Sequence, residues 1–264
     1  MIVRKGLLVF WCIIAFFQAQ AQILTGPIVG GQATIAGYGS QYDGIDFQQD
    51  LSLNYLGGWS YAYSVSDHLA FYSELVYSRK GKAQRYNSTS TRIVENQTYS
   101  HFLEAPILLR ITSPIGRSKV RWFINAGPQI SYWLGGRGTI LASEFFGSDQ
   151  LTQIDYTVSF SEGEPADGVL ALDDANRLQF GLAAGGGFII PVNRLGHAVM
   201  INIRYVSGTT FMGGNESFEI GETEIEEYLG YKHNALQIST AYVVPINIFG
   251  MRKGKTSRKV KHKK

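Results

Sequence analysis

The sequence predicts an all-β fold, an eight-stranded antiparallel up-and-down transmembrane β-barrel, and three observations carry that prediction. Eight stretches alternate apolar with small or polar side chains, the period of a strand whose two faces meet different solvents. No helical pattern supplies a layer to cover the apolar face, and lipid can be that layer. The joints between stretches run long, short, long, short, as in outer-membrane barrels.

The chain opens with the parts of a secretory signal: Arg4 and Lys5, the apolar run Gly6 to Phe17, then Ala19 and Ala21 at cleavage spacing. Twelve apolar residues fall short of the roughly 20 that a spanning helix needs. The expected organisation is residues 1–21 as signal peptide, 22–249 as outer-membrane β-barrel and 250–264 as a basic, disordered periplasmic tail. Cys12, the one cysteine, lies inside the expected signal, which excludes a disulfide, a thiol nucleophile or a Cys-ligated metal from the processed protein. Phe10 and Trp11 before it are too large for a lipoprotein signal. Nothing after the signal approaches a 20-residue apolar run.

The formal charge of +3 hides two opposed regions. The tail holds Arg252, Lys253, Lys255, Arg258, Lys259, Lys261, Lys263 and Lys264 and no acid, and with Arg4 and Lys5 in the signal the body keeps 14 Lys and Arg against 21 Asp and Glu. A net −7 body is not built for nucleic acid.

The first strand lies within Ile23 to Tyr38, with Val29, Ala33 and Ile35 on one face and Gln32 and Thr34 on the other. In the second, Leu51, Leu53, Tyr55, Trp59, Tyr61, Tyr63 and Val65 oppose Ser52, Asn54, Ser60, Ala62 and Ser64, a run longer than soluble strands usually reach. Ser66 and Asp67 turn into the third, His68 to Ser78, where Leu69, Phe71, Leu75 and Tyr77 oppose Tyr72 and Glu74. The fourth, Ser100 to Ile111, sets Leu103, Ala105, Ile107, Leu109 and Ile111 against Phe102, Glu104, Pro106, Leu108 and Arg110, and Pro106 predicts a bulge.

The fifth strand, Val120 to Leu134, places Trp122, Ile124, Ile130, Tyr132 and Leu134 opposite Arg121, Asn125, Gln129 and Ser131. The sixth, Arg177 to Val192, turns Leu178, Phe180, Leu182, Phe188 and Ile190 outward and Gln179, Gly181, Ala183, Gly185 and Gly187 inward, and a narrow interior needs such small residues. The seventh, His197 to Ser207, opposes Val199, Ile201, Ile203 and Tyr205 to Met200, Asn202 and Arg204. The eighth, Ala235 to Phe249, opposes Leu236, Ile238, Tyr242 and Val244 to Gln237, Ser239 and Ala241. Eight antiparallel strands close without an edge.

Short joints at Asp67, Thr112 to Lys119 and Pro191 to Gly196 face long ones at Gly39 to Asp50, Arg79 to Tyr99, Gly135 to Asn176 and Gly208 to Asn234. The asymmetry puts both chain ends in the periplasm and four long loops outside. Tyr38, Tyr63, Tyr77, Trp122, Tyr132, Trp133, Tyr205 and Phe249 sit near strand ends, where rings form girdles at the headgroup level. A soluble sandwich or lipocalin-like barrel would share the aromatic content, but strand length and loop asymmetry argue against it.

Four segments in order, FYSELVYSRKGKA (Phe71 to Ala83), FLEAPILLRI (Phe102 to Ile111), FINAGPQISYWLGG (Phe123 to Gly136) and LQFGLAAGGGF (Leu178 to Phe188), resemble the Bacteroidota outer-membrane β-barrel family labelled porin-family or PorT-like. The resemblance runs from about Leu51 to Phe249. It implies the compartment and the barrel and almost nothing about activity.

An eight-stranded barrel has an interior just wide enough for side chains to fill. Glu74, Glu104, Arg110, Arg121, Asn125, Gln129, Gln179, Asn202, Arg204 and Gln237 point inward, and two acids with three arginines are expected to pair bidentately into a plug. The rival reading of the same charges is a solute-selecting constriction or proton path. Fourteen of the 21 acids lie in the last two long loops, Glu144, Asp149, Asp155, Glu162, Glu164, Asp167, Asp173 and Asp174, then Glu216, Glu219, Glu222, Glu224, Glu226 and Glu227. They would be solvated or attract divalent cations bridging lipopolysaccharide, or a basic partner; no calcium-loop spacing is present.

For hydrolysis, His101 and His233 near the outer rim, with Ser100, Glu104 and Glu227, are the only candidates, without a GxSxG or HExxH motif. Gly185 to Gly187 lack the lysine and helix of a phosphate loop. The expectation is therefore a non-enzymatic, cofactor-free closed barrel with outer-membrane lipids, lipopolysaccharide and a periplasmic or cell-surface protein as partners. The tail would hold anionic headgroups, peptidoglycan or an acidic partner, or else only solubilise. The alternatives are a passive porin for small solutes and an accessory component of a secretion apparatus.

Overall fold

The computed structural model of the chain describes residues 22–39, 47–86, 93–142, 152–160, 168–172, 175–220 and 223–246. Thirteen strands follow in order: β1 (Gln22–Tyr38), β2 (Phe47–Asp50), β3 (Ser52–Ser64), β4 (Leu69–Tyr86), β5 (Ile93–Pro114), β6 (Arg121–Ala142), β7 (Thr152–Ser159), β8 (Val169–Ala171), β9 (Leu178–Pro191), β10 (Ala198–Gly208), β11 (Asn215–Ile220), β12 (Thr223–Tyr228) and β13 (Tyr231–Ile246). Eight of them, β1, β3, β4, β5, β6, β9, β10 and β13, form a ring in which each pairs antiparallel with both neighbours. The ring closes between the first and last strands along their whole length, from Ile23 opposite Ile246 to Tyr38 opposite Tyr231. Closure leaves no ladder edge along the ring, which is the condition for carrying backbone through hydrocarbon.

The alternation decides which face is wet. Leu53, Tyr55, Phe71, Leu75, Ile107, Leu109, Ile124, Leu182, Phe188, Ile203 and Ile238 are exposed on the outer wall, while Asn54, Glu74, Glu104, Arg110, Asn125, Gln179, Arg204 and Gln237 are buried inside. This is the inverse of a soluble barrel, with polar atoms in the core and large apolar side chains outside. Rings and cations edge the apolar belt: the guanidinium of Arg79 lies over Tyr55 and Tyr99, and that of Arg177 over Tyr132. All eight expected strands exist with the expected faces.

Two expectations need correction. Arg79 to Tyr99 is not mainly loop: β4 runs to Tyr86 and β5 starts at Ile93, with Arg85 still opposite Glu95. Alternation fades there because both faces meet polar surroundings beyond the belt, so the sequence shows Ser, Lys, Gln, Asn and Thr on either side. The bulge is not at Pro106 either, for the β5–β6 register does not shift between Glu104 opposite Ser131 and Leu109 opposite Ala126. A lapse in the β4–β5 ladder between Val76/Glu104 and Ser73/Ile107 accommodates the missing proline N–H. The register shifts instead at His101/Phe102, where Leu134 is the extra residue and Gly135 takes φ +144°, a conformation that side-chain-bearing residues rarely adopt.

Above the belt the sheet flares and folds over. β2 pairs the end of β4, and β6, after parting from β9 at Tyr132/Leu178, pairs β7, on which β8 lies parallel. β11 and β12 form a separate hairpin. Residues 168–172 and 210–213 cross this end, held by backbone bonds such as Leu172 N–H to Ser159 O and Met212 N–H to Tyr231 O, both 2.9 Å. The long joints from Gly135 and from Gly208 therefore contain strands and a cap. Among the described residues, the opposite end has the turns around Asp67, Gly116 and Arg194 and the two ring-strand termini.

Candidate functional site

Inward positions stack into layers from the short-turn end to the capped end, and the middle layer is polar. Arg204 Nη2 donates to Glu74 Oε2 at 2.7 Å, and the Tyr72 hydroxyl donates to Glu74 Oε1 at 2.6 Å. The guanidinium forks onto Gln237, Nε at 3.0 Å and Nη2 at 2.8 Å to Oε1, and Gln237 passes the chain to Gln32, which donates to the carbonyl of Arg79. Bidentate pairing was expected between arginine and acid. It occurs between arginine and amide, because the second carboxylate oxygen is already taken by Tyr72.

The second acid, Glu104, accepts from Lys80 Nζ at 2.5 Å, Gln129 Nε2 at 3.0 Å and Ser131 Oγ at 3.2 Å. Lys80 and Lys82, which is buried beside it, both fall in the Arg79 to Tyr99 stretch that the fading alternation predicts as a loop. The signal that would have found them is parity: Ser78, Lys80, Lys82 and Gln84 continue the inward face of Tyr72, Glu74 and Val76.

Arg121 is not a member of this network. It stands at the first position of β6, half-exposed at the short-turn mouth, and donates to the carbonyl of Asp67. Parity pointed it inward correctly, but the strand begins there and the lumen has already opened. Gln179 is buried near the cap, with its amide against Met212 Sδ at 2.6 Å. Asn125 and Asn202 are buried with neither amide atom partnered among the described residues. Gly185 and Gly187 make room for this layer, since a Cβ on either would run into the neighbouring backbone of β10. The eight cations of the tail lie outside the described residues, as do most of the acids of the third long joint; Asp155 is described, exposed on β7 and accepting from Thr139 at 2.8 Å.

The capped end is filled differently. Phe102, Trp133, Ile140, Tyr156, Val158, Leu170, Leu172, Met212, Leu229 and Tyr231 form one apolar cluster, drawn from the ring, from β7 and β8 and from the crossing segments. His233 is buried within it, edge-on to Phe102 at 5.6 Å and to Tyr231 at 5.2 Å, with no hydrogen-bond partner for either ring nitrogen among the described residues. His101 points the other way, out of the wall, stacked on Tyr77 with its Nδ1 2.6 Å from the Tyr77 hydroxyl. The two histidines face opposite sides of the wall, and Ser100 and Glu104 lie on the inner side. Among the described residues no hydrogen bond joins His233 to Ser100 or Glu104. Among the described residues no three His, Cys, Asp or Glu gather as metal ligands.

A closed ring with an apolar wall and a polar filling defines an integral outer-membrane β-barrel. The chain belongs to the outer membrane protein beta-barrel domain family, whose model matches residues 20–210, and the family places it in the bacterial outer membrane. Solved structures similar to it include Neisserial surface protein A, at 14% identity and TM-score 0.37 over 86% of this chain and 99% of that one. OprG from Pseudomonas aeruginosa matches at 12% and 0.38 over 87% and 97%. Ail, the attachment invasion locus protein of Yersinia pestis, matches at 12% and 0.30 over 85% and 99%. No curated protein matches.

Proposed function

We propose that the protein is a closed outer-membrane barrel that works by presenting surfaces at its two ends, with no chemistry of its own and no conduction of solutes. The observation that supports this best is the double filling of the lumen: a charged layer around Glu74, Arg204, Glu104 and Lys80, then an apolar cluster over it. In this reading the short-turn end and both chain ends face the periplasm, following the loop asymmetry of such barrels. Residues 1–21 are a signal removed on export, 22–249 the barrel, and 250–264 a basic tail that holds anionic headgroups, peptidoglycan or an acidic partner. The acidic joints at the other end meet lipopolysaccharide through divalent cations, or a basic protein. Kinship with the PorT-like proteins of Bacteroidota rests on the four sequence segments quoted above.

Planar-bilayer recording of the full processed chain tests the reading. Silence is expected at all voltages that the bilayer survives. Steady stepwise currents would make it a passive porin.

A further inference from the structure

At the short-turn end the lumen holds a cavity of about 50 Å³, lined by Arg110 and Thr112 of β5, Arg121 of β6, Asp67 and His68 of the first turn, and otherwise by apolar and small residues of β1, β3, β4 and β9. Arg110 is 2% exposed, and its guanidinium is fixed between the rings of Tyr72 at 3.6 Å and Phe123 at 4.1 Å. Its Nη1 donates only to the Met200 thioether at 3.1 Å, a weak acceptor. Nε and Nη2 have no partner among the described residues. These two N–H groups share one edge of the guanidinium, the edge that grips both oxygens of a carboxylate. The buried acids are already engaged elsewhere, Glu74 by Arg204 and Glu104 by Lys80. Asn125, directly across from Arg110 on β6, and Asn202 on β10 leave their amides unpartnered in the same part of the lumen.

We propose that Arg110 is the seat of a small carboxylate ligand that enters from the short-turn end. Arg121 and His68 line its way in, Arg110 grips both oxygens side-on, and the Asn125 amide donates to one of them. A monoanion matches the single buried charge of Arg110, which no carboxylate among the described residues neutralises, whereas a phosphate dianion brings a charge too many. The chain's own tail is a poor occupant, because its eight cations are repelled by Arg110 and Arg121. The ligand is then a free small acid or the terminal carboxylate of a peptide, which share this chemistry.

The test follows arginine Nε–H resonances of the full processed chain, ¹⁵N-arginine labelled and folded in detergent. Acetate is titrated against equal ionic strength of a bulky morpholinosulfonate. One Nε–H signal should move saturably with acetate alone, and the urea midpoint should rise with it. Arg110→Met, shown folded by its heat-modifiable gel shift, should lose both responses. Asn125→Leu should weaken acetate by roughly tenfold, the worth of one charge-assisted bond, and keeps the test alive if Arg110→Met does not fold. Tighter binding of N-acetyl-Ala-Ala than of acetate assigns the ligand to a peptide terminus, and weaker binding to a free acid. An unresponsive wild type, an acetate response that survives Arg110→Met, or tighter binding of inorganic phosphate would overturn the proposal. The conductance of the barrel does not enter, so a conducting barrel that still binds acetate would remove only the closed-lumen reading.

Discussion

The middle of the lumen and its capped end are both filled, but by opposite physics. In the middle, Glu74, Arg204, Gln237 and Gln32 form a chain of charge-assisted and amide hydrogen bonds between strands that the ring already holds in place. At the cap, Tyr156, Leu170 and Met212, from strands and crossing segments outside the ring, pack on Trp133 and Tyr231 of ring strands, and apolar burial is what holds them there. The polar layer depends on each partner being present, because an unpaired buried charge is costly, whereas the apolar cluster loses stability roughly in proportion to the contact removed.

Breaking one partner in the middle should therefore give the largest effect. Arg204→Met leaves Glu74 buried without its cation, and the expected loss is about 3–5 kcal/mol by equilibrium urea unfolding from lipid vesicles. The double variant Glu74→Leu, Arg204→Met should recover most of that loss, since an apolar pair of similar volume serves nearly as well. If the double variant is as unstable as the single, the pair is not what organises the middle layer.

Leu170→Ala probes the other region. Leu170 is fully buried on β8, and truncation should cost about 2–5 kcal/mol of local packing. The difference from the middle layer lies in where the loss appears. Protease should cut residues 160–178 faster while the heat-modifiable shift of the ring persists. Equal cleavage with a lower ring stability would mean that cap and ring unfold as one unit.

The same contrast explains what could be read in the chain. Every ring strand was legible, as were the inward positions of Glu74, Glu104, Arg110, Asn202, Arg204 and Gln237, because hydrocarbon on one side and a packed polar lumen on the other impose period two on every residue between them. Above the belt that constraint ends. Lys80 and Lys82 share an inward face with Glu74, yet Arg79 and Arg85 on the outer face are polar too, so parity counted on from Glu74 is the one signal left and no apolar alternation marks the strand as continuing. The cap was illegible for a related reason. Leu170 and Leu172 lie in the short apolar run Val169 to Leu172 and Met212 follows Phe211, both runs too brief beside acidic and glycine-rich neighbours to declare a strand or a partner, and only the tertiary fold gathers them. The Arg121 position shows a further limit: parity gives the face but not the height at which the lumen opens.

His233 sharpens the boundary between the regions, since it is a polar ring inside the apolar cluster. His233→Phe keeps the edge-on contacts with Phe102 and Tyr231 and removes two unpartnered nitrogens, so a gain of about 1 kcal/mol is expected in the same urea assay. A loss of similar size would mean that the ring nitrogens are satisfied in the folded protein, and that the cap carries a polar contact after all.

The smallest effect belongs to His101, which lies on β5 beyond Leu103, the last exposed apolar residue of that strand before the cap. Partial burial, reinforced by the positive charges of Arg79 and Arg137, holds its pKa below the ordinary 6.5, so the folded ring stays neutral and accepts the Tyr77 proton. The unfolded chain takes up a proton near pH 6.5 and the folded chain resists it. Stability from this site is therefore complete above about pH 6.5 and falls as the pH drops from there toward the lowered value. Solvent screening at a half-exposed ring limits the loss to less than about 1 kcal/mol. The measurement is the difference in urea midpoint between wild type and His101→Gln from pH 7.5 to 5, which cancels the histidines common to both. A wild-type advantage that is flat across that range, or one that grows as the pH falls, would mean that folding does not disfavour the ring's proton, and would leave the Tyr77 contact without the neutral acceptor it needs.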